Sequence, residues 1–184
     1  MNKSLYKHYV FLDEINDLIK ENLIKLKNVS IIINDNQNDK RSLEVEKSII
    51  EFAKKRRICF LLKNNFQKCI KYRANGIYID SKNKKNVKPI GLYKNFKILG
   101  SVHSQLEFYF KNQQRCEQVF LSPIFKNIKY LDSQILKPIK FNLMCLEWKK
   151  KIIALGGINS KNIKKIYLTK SYGIGFMSWI KQQA

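Results

Sequence analysis

Short, largely apolar runs recur along the chain at Tyr9 to Leu12, Val29 to Ile33, Ile58 to Leu62, Gly76 to Ile79, Lys97 to Gly100, Val119 to Leu121, Ile152 to Leu155 and Ile174 to Met177. Runs of this kind, with no polar alternation, suit strands buried on both faces and so predict a parallel sheet. Between them the apolar positions change period. Ile15, Leu18, Ile19 and Leu23 recur at helical spacing, as do Val45, Ile49, Ile50 and Ala53, and shorter helices are predicted over 65–72, 104–112, 139–148 and 162–169. The segment 81–95 contains Pro89, Gly91 and many lysines, which predicts a loop where the alternation calls for a helix. Eight strands with intervening helices predict a small, trimmed (β/α)8 barrel, since about 250 residues is typical of that fold. A doubly wound open sheet is the alternative, but no Gly-x-Gly-x-x-Gly fingerprint supports it.

The last two strands end in suggestive chemistry. Gly156-Gly157 follow one apolar run and leave the backbone bare where a ligand could approach, with Asn159 or Ser160 placed to cap the next helix. Ser178 follows the other run, where a short terminal helix would begin. Backbone amides at two such points could jointly hold one phosphate, because helix N-termini present unpaired N–H groups and a favourable dipole. The plainer alternative is two core strands whose glycines only turn the chain.

Length and composition set the frame. The chain has 184 residues and 45% hydrophobic content, which predicts a single domain over 1–184 with a substantial core. No apolar run approaches a membrane span, and the basic start of the chain runs into Asp13-Glu14 without the pattern of a signal peptide. Cys59, Cys69, Cys116 and Cys145 show neither metal-ligand spacing nor a disulfide framework, so a reduced, cytoplasmic protein is expected. A net charge of +22 would ordinarily point to nucleic acid. Only five of the 36 basic residues are arginines, however, and the lysines are spread over nearly every segment, which favours a solvated lysine surface over a specific nucleic-acid site.

Four segments resemble, in order, the thiamine phosphate synthase and TenI family: Arg73-Ala-Asn-Gly-Ile-Tyr-Ile-Asp80, Ile98-Leu-Gly-Ser-Val-His-Ser104, Phe120-Leu-Ser-Pro-Ile-Phe125, and Ile153 to Asn159 with Gly173 to Ile180. The resemblance implies a (β/α)8 barrel. It further implies that Gly156, Gly157 and Ser178 hold a thiazole phosphate through their backbone. Ser101 would lie near the pyrophosphate site, in a stretch closer to the TenI form, and Ser122, Pro123, Ile124 and Phe125 would form the loop that closes over the ligand. In the synthases a pyrimidine pyrophosphate is joined to a thiazole phosphate with loss of pyrophosphate, helped by magnesium.

Other matched positions have changed. Where the family has a Gln, Arg and Lys set after strand two, this chain reads Asn34-Asp-Asn-Gln-Asn-Asp39. The family's Asn-Asp pair after strand three appears as Lys63-Asn64, and its metal-binding Asp after strand four aligns with Asn83 or Lys82. Lys63 could supply a fixed charge in place of the ion. The threonines that follow Pro-Ile-Phe in the synthases are replaced by Lys126-Asn127-Ile128-Lys129, and the histidine of the thiazole tautomerase found among TenI proteins falls at Pro123. The expectation is therefore a family member that binds a phosphorylated thiazole or thiamine phosphate with doubtful turnover and no metal, magnesium entering only if synthase activity persists. A non-catalytic phosphate-binding barrel, and less favoured a basic nucleic-acid-binding protein, are the alternatives.

The remaining candidates for chemistry are few. His103 is the one histidine near a strand end, suited to acid/base work or simply to holding its loop. Asp13, Asp35 and Asp80 stand at or just past strand ends, where they could form an acidic cluster or cap the following helices. Trp148 and Trp179 read as packing residues.

Overall fold

The computed structural model describes residues 6–34, 40–85, 95–127 and 131–177. Eight strands, β1 (Lys7–Leu12), β2 (Val29–Ile33), β3 (Cys59–Lys63), β4 (Gly76–Ile79), β5 (Lys97–Val102), β6 (Gln118–Leu121), β7 (Lys151–Ala154) and β8 (Gly173–Phe176), close into a barrel in sequence order. Every pairing is parallel, β8 returning to β1 through Lys7 opposite Gly173 and Tyr9 opposite Gly175. The closed ring excludes the open-sheet alternative. Around it lie α1 (Asp17–Lys25), α2 (Lys40–Lys55), α3 (Phe66–Tyr72), α4 (Gln105–Gln113), α5 (Lys137–Glu147) and α6 (Ile163–Ile166).

The helices start where local chemistry lets them. Asn16, Asn65 and Ser104 are N-caps whose side-chain oxygens accept from Ile19, Lys68 and Glu107 amides, satisfying donors that the first turn leaves without partners. The predicted helix over 162–169 shrinks to four residues. Thr169 Oγ1 bonds back to the Ile166 carbonyl at 2.7 Å and turns the chain toward β8. Neither Asn159 nor Ser160 caps it. Asn159 Oδ1 instead accepts from the Lys161 and Asn162 amides and shapes the preceding turn. Residues 81–85 form a turn and loop, as predicted, while 86–94 lie outside the described residues.

Side-chain alternation divides the apolar residues into two cores. Outside the barrel, under the helices, pack Val10, Ile31, Leu62, Ile77, Val119 and their neighbours. Inside pack Tyr9, Phe11, Ile32, Leu61, Tyr78, Leu99, Phe120, Ile153 and Leu155. Phe120 is the hub of the inner core. Its ring meets Tyr9, Phe11 and Tyr78 edge-on at 5.2, 5.4 and 5.5 Å between centroids, the geometry that aromatic quadrupoles favour. Trp148, predicted as a packing residue, is buried and stacks on Phe108 at 4.0 Å, joining α4 to α5. Trp179 lies outside the described residues. Of the lysines 149–151, Lys149 and Lys151 are exposed, while Lys150 is half-buried, spans to Asn112 and lies over the Phe108 ring.

Candidate functional site

Inward-facing positions carried to the C-terminal ends of the strands define the mouth where barrel enzymes place their sites. Lys63 pairs in register with inward Tyr78, and Ser101 with inward Phe120, so both side chains belong to the barrel interior. The same alternation carries Asp80 and Ser122 inward just past their strands.

The ends of β3 and β4 are stitched together. Asn64 Oδ1 accepts from the Asp80 amide at 3.0 Å and from Asn83 Nδ2 at 3.3 Å, while Asp80 Oδ1 accepts from the Asn83 amide at 3.0 Å. The other Asp80 oxygen lies 3.4 Å from the Lys63 ammonium. Burial alone would raise the Asp80 carboxyl, but hydrogen bonds from Asn64 and Asn83 and the Lys63 charge outweigh it and hold it below the ordinary 3.8. A depressed carboxyl contributes stability that is fully present above its unfolded value and is lost as pH falls through its folded one. Asp80→Asn is therefore expected to lessen the loss of stability below about pH 4. Acid unfolding curves that superimpose for the two proteins would count against this pairing.

Sequence reasoning missed the support beneath this cluster. Lys111 on α4 is fully buried, and its ammonium donates to the Asn83 carbonyl and to Gln114 Oε1, both at 2.8 Å. Gln114 Nε2 in turn donates to the Asn83 and Lys85 carbonyls at 2.9 and 2.8 Å. The lysine stem crosses Gly100, where a Cβ would stand 2.6 Å from its Cδ. Burial pushes the Lys111 amine below the usual lysine value. The signal was present in the sequence as a lysine three residues after Phe108, on the core face of a helix.

The fit of this corner to magnesium can be judged from its donors. Magnesium is held by one or two carboxylates. Asp80 is the one carboxylate of this cluster and already faces an ammonium, while the Asn64 amide oxygen is committed to two donors. No cluster of three His, Cys, Asp or Glu able to hold a metal occurs among the described residues. The residues do not fit the ion. Asp13 is exposed and Asp80 is paired with Lys63, while Asp35 lies outside the described residues.

On the opposite side, Gly156 and Gly157 adopt φ of +93° and +70° and turn the chain beneath the loop after β6. The Phe125 amide donates to the Gly156 carbonyl at 3.1 Å, and Asn162 Nδ2 to the Gly157 carbonyl at 2.7 Å. Among the described residues, neither glycine amide donates a backbone hydrogen bond. Ser101 and Ser122 are buried near the mouth, and Pro123, reached through a cis peptide, packs on Gly156. Ile124 is fully buried in the outer core, its amide on the Leu155 carbonyl, so it anchors the loop from below. Ser178 lies outside the described residues. His103 is held by Glu107, whose carboxylate accepts from the His103 amide at 2.6 Å and lies 3.1 Å from Nδ1. That arrangement fixes the start of α4.

A closed ring of eight parallel strands with intervening helices is a (β/α)8 barrel. Residues 10–180 match the thiamine monophosphate synthase family, TMP-TENI, and the chain belongs to it. Solved structures similar to the chain include thiamine phosphate pyrophosphorylase from Pyrococcus furiosus, at 17% identity and a TM-score of 0.72, covering 95% of this chain and 86% of that one. The thiamine phosphate pyrophosphorylase of Bacteroides thetaiotaomicron follows at 17% identity, TM-score 0.57 and coverages of 94% and 83%. KGPDC from Streptococcus mutans matches at 10% identity, TM-score 0.59 and coverages of 97% and 91%. At these identities the structures share the fold. No curated protein sequence matches the chain.

Proposed function

We propose that this family member binds a phosphorylated thiazole, or thiamine phosphate, at the C-terminal mouth and has little or no synthase turnover. The observation that carries the reading is the contrast between the two sides of the mouth. On one side the Gly156-Gly157 turn engages its carbonyls with its own loops, and among the described residues neither of its amides donates to a backbone carbonyl, the arrangement that suits an anion. On the other, Lys63 faces Asp80 at the corner where the family resemblance puts the synthases' metal, and its ammonium would supply a fixed charge in place of the ion. Ser101 and Ser122 complete the polar lining between them. The four cysteines are free thiols, in keeping with a reducing cytoplasm.

Two measurements test this. Incubation with thiazole phosphate, pyrimidine pyrophosphate and magnesium is expected to yield no thiamine phosphate at an enzymatic rate, and turnover of roughly one per second or faster would overturn the metal argument. Titration of 15N-labelled protein with thiazole phosphate should shift the Gly156 and Gly157 amide resonances before those of the α1–β2 turn at the opposite end of the barrel. If resonances elsewhere respond and these two stay fixed, the phosphate is held somewhere else.

A further inference from the structure

The lysines are dispersed in sequence, but the arginines are not dispersed in space. The turns that lead from helices into strands all lie at the N-terminal face of the barrel, opposite the mouth described above. Four of the five arginines, Arg56, Arg57, Arg73 and Arg115, sit on these turns. Lys27, Lys149, Lys150 and Lys170 share them, and Glu117 is their single acid. The loops of the C-terminal mouth, by contrast, carry Asp13, Glu14, Asp80 and Asp132 among their lysines.

Cations at helix C-termini have an ordinary explanation, because they complement the helix dipole. That explanation does not reach the strand starts. Lys7, Lys97 and Lys151 open β1, β5 and β7, and their registers opposite Gly173, Gly76 and inward Gln118 direct them into the lower barrel opening. Bulky apolar residues ordinarily fill such positions. Here the Lys7 and Lys151 ammoniums share the Tyr172 ring at 5.9 and 5.1 Å, and Lys97 lies 3.5 Å from the Cys59 thiol. None of the ion pairs between described residues engages these lysines or Arg57, Arg73 and Arg115. Beside the opening, Lys54, Arg57, Arg73 and Asn75 line a shallow pocket of about 320 Å³. Arg57, Arg73 and Arg115 all have left-handed φ, near +55°, and all three are solvent-exposed.

We propose that the N-terminal face of the barrel binds the phosphate backbone of nucleic acid, without sequence preference. Cations spread across a whole barrel end match an anion whose charges repeat over that span, whereas one small anion would engage only a few of them. A membrane surface would also draw on apolar side chains pushed into it. Of the large apolar side chains that stand exposed, Leu168 alone lies on these turns.

The test is fluorescence anisotropy of a labelled oligothymidylate strand of about 20 nucleotides with the full chain, over about 50–300 mM salt. Two triple variants remove the same charge: Arg57→Gln, Arg73→Gln, Arg115→Gln on the face, and Lys47→Gln, Lys140→Gln, Lys164→Gln on the outer helices. The face variant is expected to flatten the log–log salt slope by about 2, since each phosphate that is no longer neutralised removes roughly 0.7, and to bind at least about tenfold more weakly at 100 mM salt. The outer variant should stay within about twofold of the parent. Melting curves check both folds, and Lys97→Gln with Lys151→Gln repeats the test from the strand starts should the arginine variant unfold. Equal weakening by both triple variants would mean a diffuse lysine surface and overturn the proposal, as would an unbound strand at low salt. Tighter retention on phosphatidylserine vesicles than on the strand, lost in the same face variant, would make the partner a membrane instead.

Discussion

Replacing Phe120 with alanine is expected to remove about 3–5 kcal/mol of folding stability, the usual cost of emptying a large aromatic site in a closed core. The ring is fully buried and bridges Tyr9 and Phe11 of β1 and Tyr78 of β4, neither of which is a neighbour of β6 in the barrel. A barrel interior cannot collapse on such a void without bending strands that are hydrogen-bonded on both edges. Urea unfolding at neutral pH measures the effect. A loss under about 1 kcal/mol would mean that the inner rings repack freely and that Phe120 is no hub.

Gly157→Asp should be nearly as damaging, by about 2–4 kcal/mol, and for reasons that precede any ligand. A Cβ at Gly157 would stand 2.5 and 2.6 Å from the Phe125 and Lys126 carbonyl oxygens, at a φ of +70° that side chains rarely adopt. The new carboxylate would be added to a turn already crowded by carbonyl oxygens. A fall in melting temperature of roughly 5–15 °C is expected for a chain of this size, and a melting point unchanged within about 2 °C would show that the β6 loop simply moves aside. Lost ligand affinity in this variant would report a displaced loop as readily as a repelled phosphate. The unmutated amide resonances are the cleaner probe of the site.

The eight strands were legible because a parallel sheet buries both faces, so the chemical signal is a plain apolar run. Their edges were not, since the barrel ends recruit polar side chains inward: Lys7, Lys63, Gln118 and Lys151 belong to strands yet look like loop. Helix starts were readable where Asn65 and Ser104 cap them. The end of α6 was not, because a threonine bonding back to its own turn leaves the apolar spacing undisturbed. At the mouth, the glycine pair announced a backbone turn. The pairing of Lys63 with Asp80 could not be read, because it joins neighbouring strands seventeen residues apart in sequence. The arginines show the same limit. Spaced along the sequence they looked incidental, and only the alternation of strand and helix brings four of them to one end.

The burial of Lys111 divides the chain's amines into two chemical populations. In this lysine-rich protein, it is the one lysine among the described residues with no solvent-exposed surface. Reagents that acylate amines reach the others in the folded state, but they reach Lys111 only when α4 parts from the loop that holds Asn83. Its rate of acylation is thus a clock for the opening of one corner of the mouth, set against a background of lysines that keep no time.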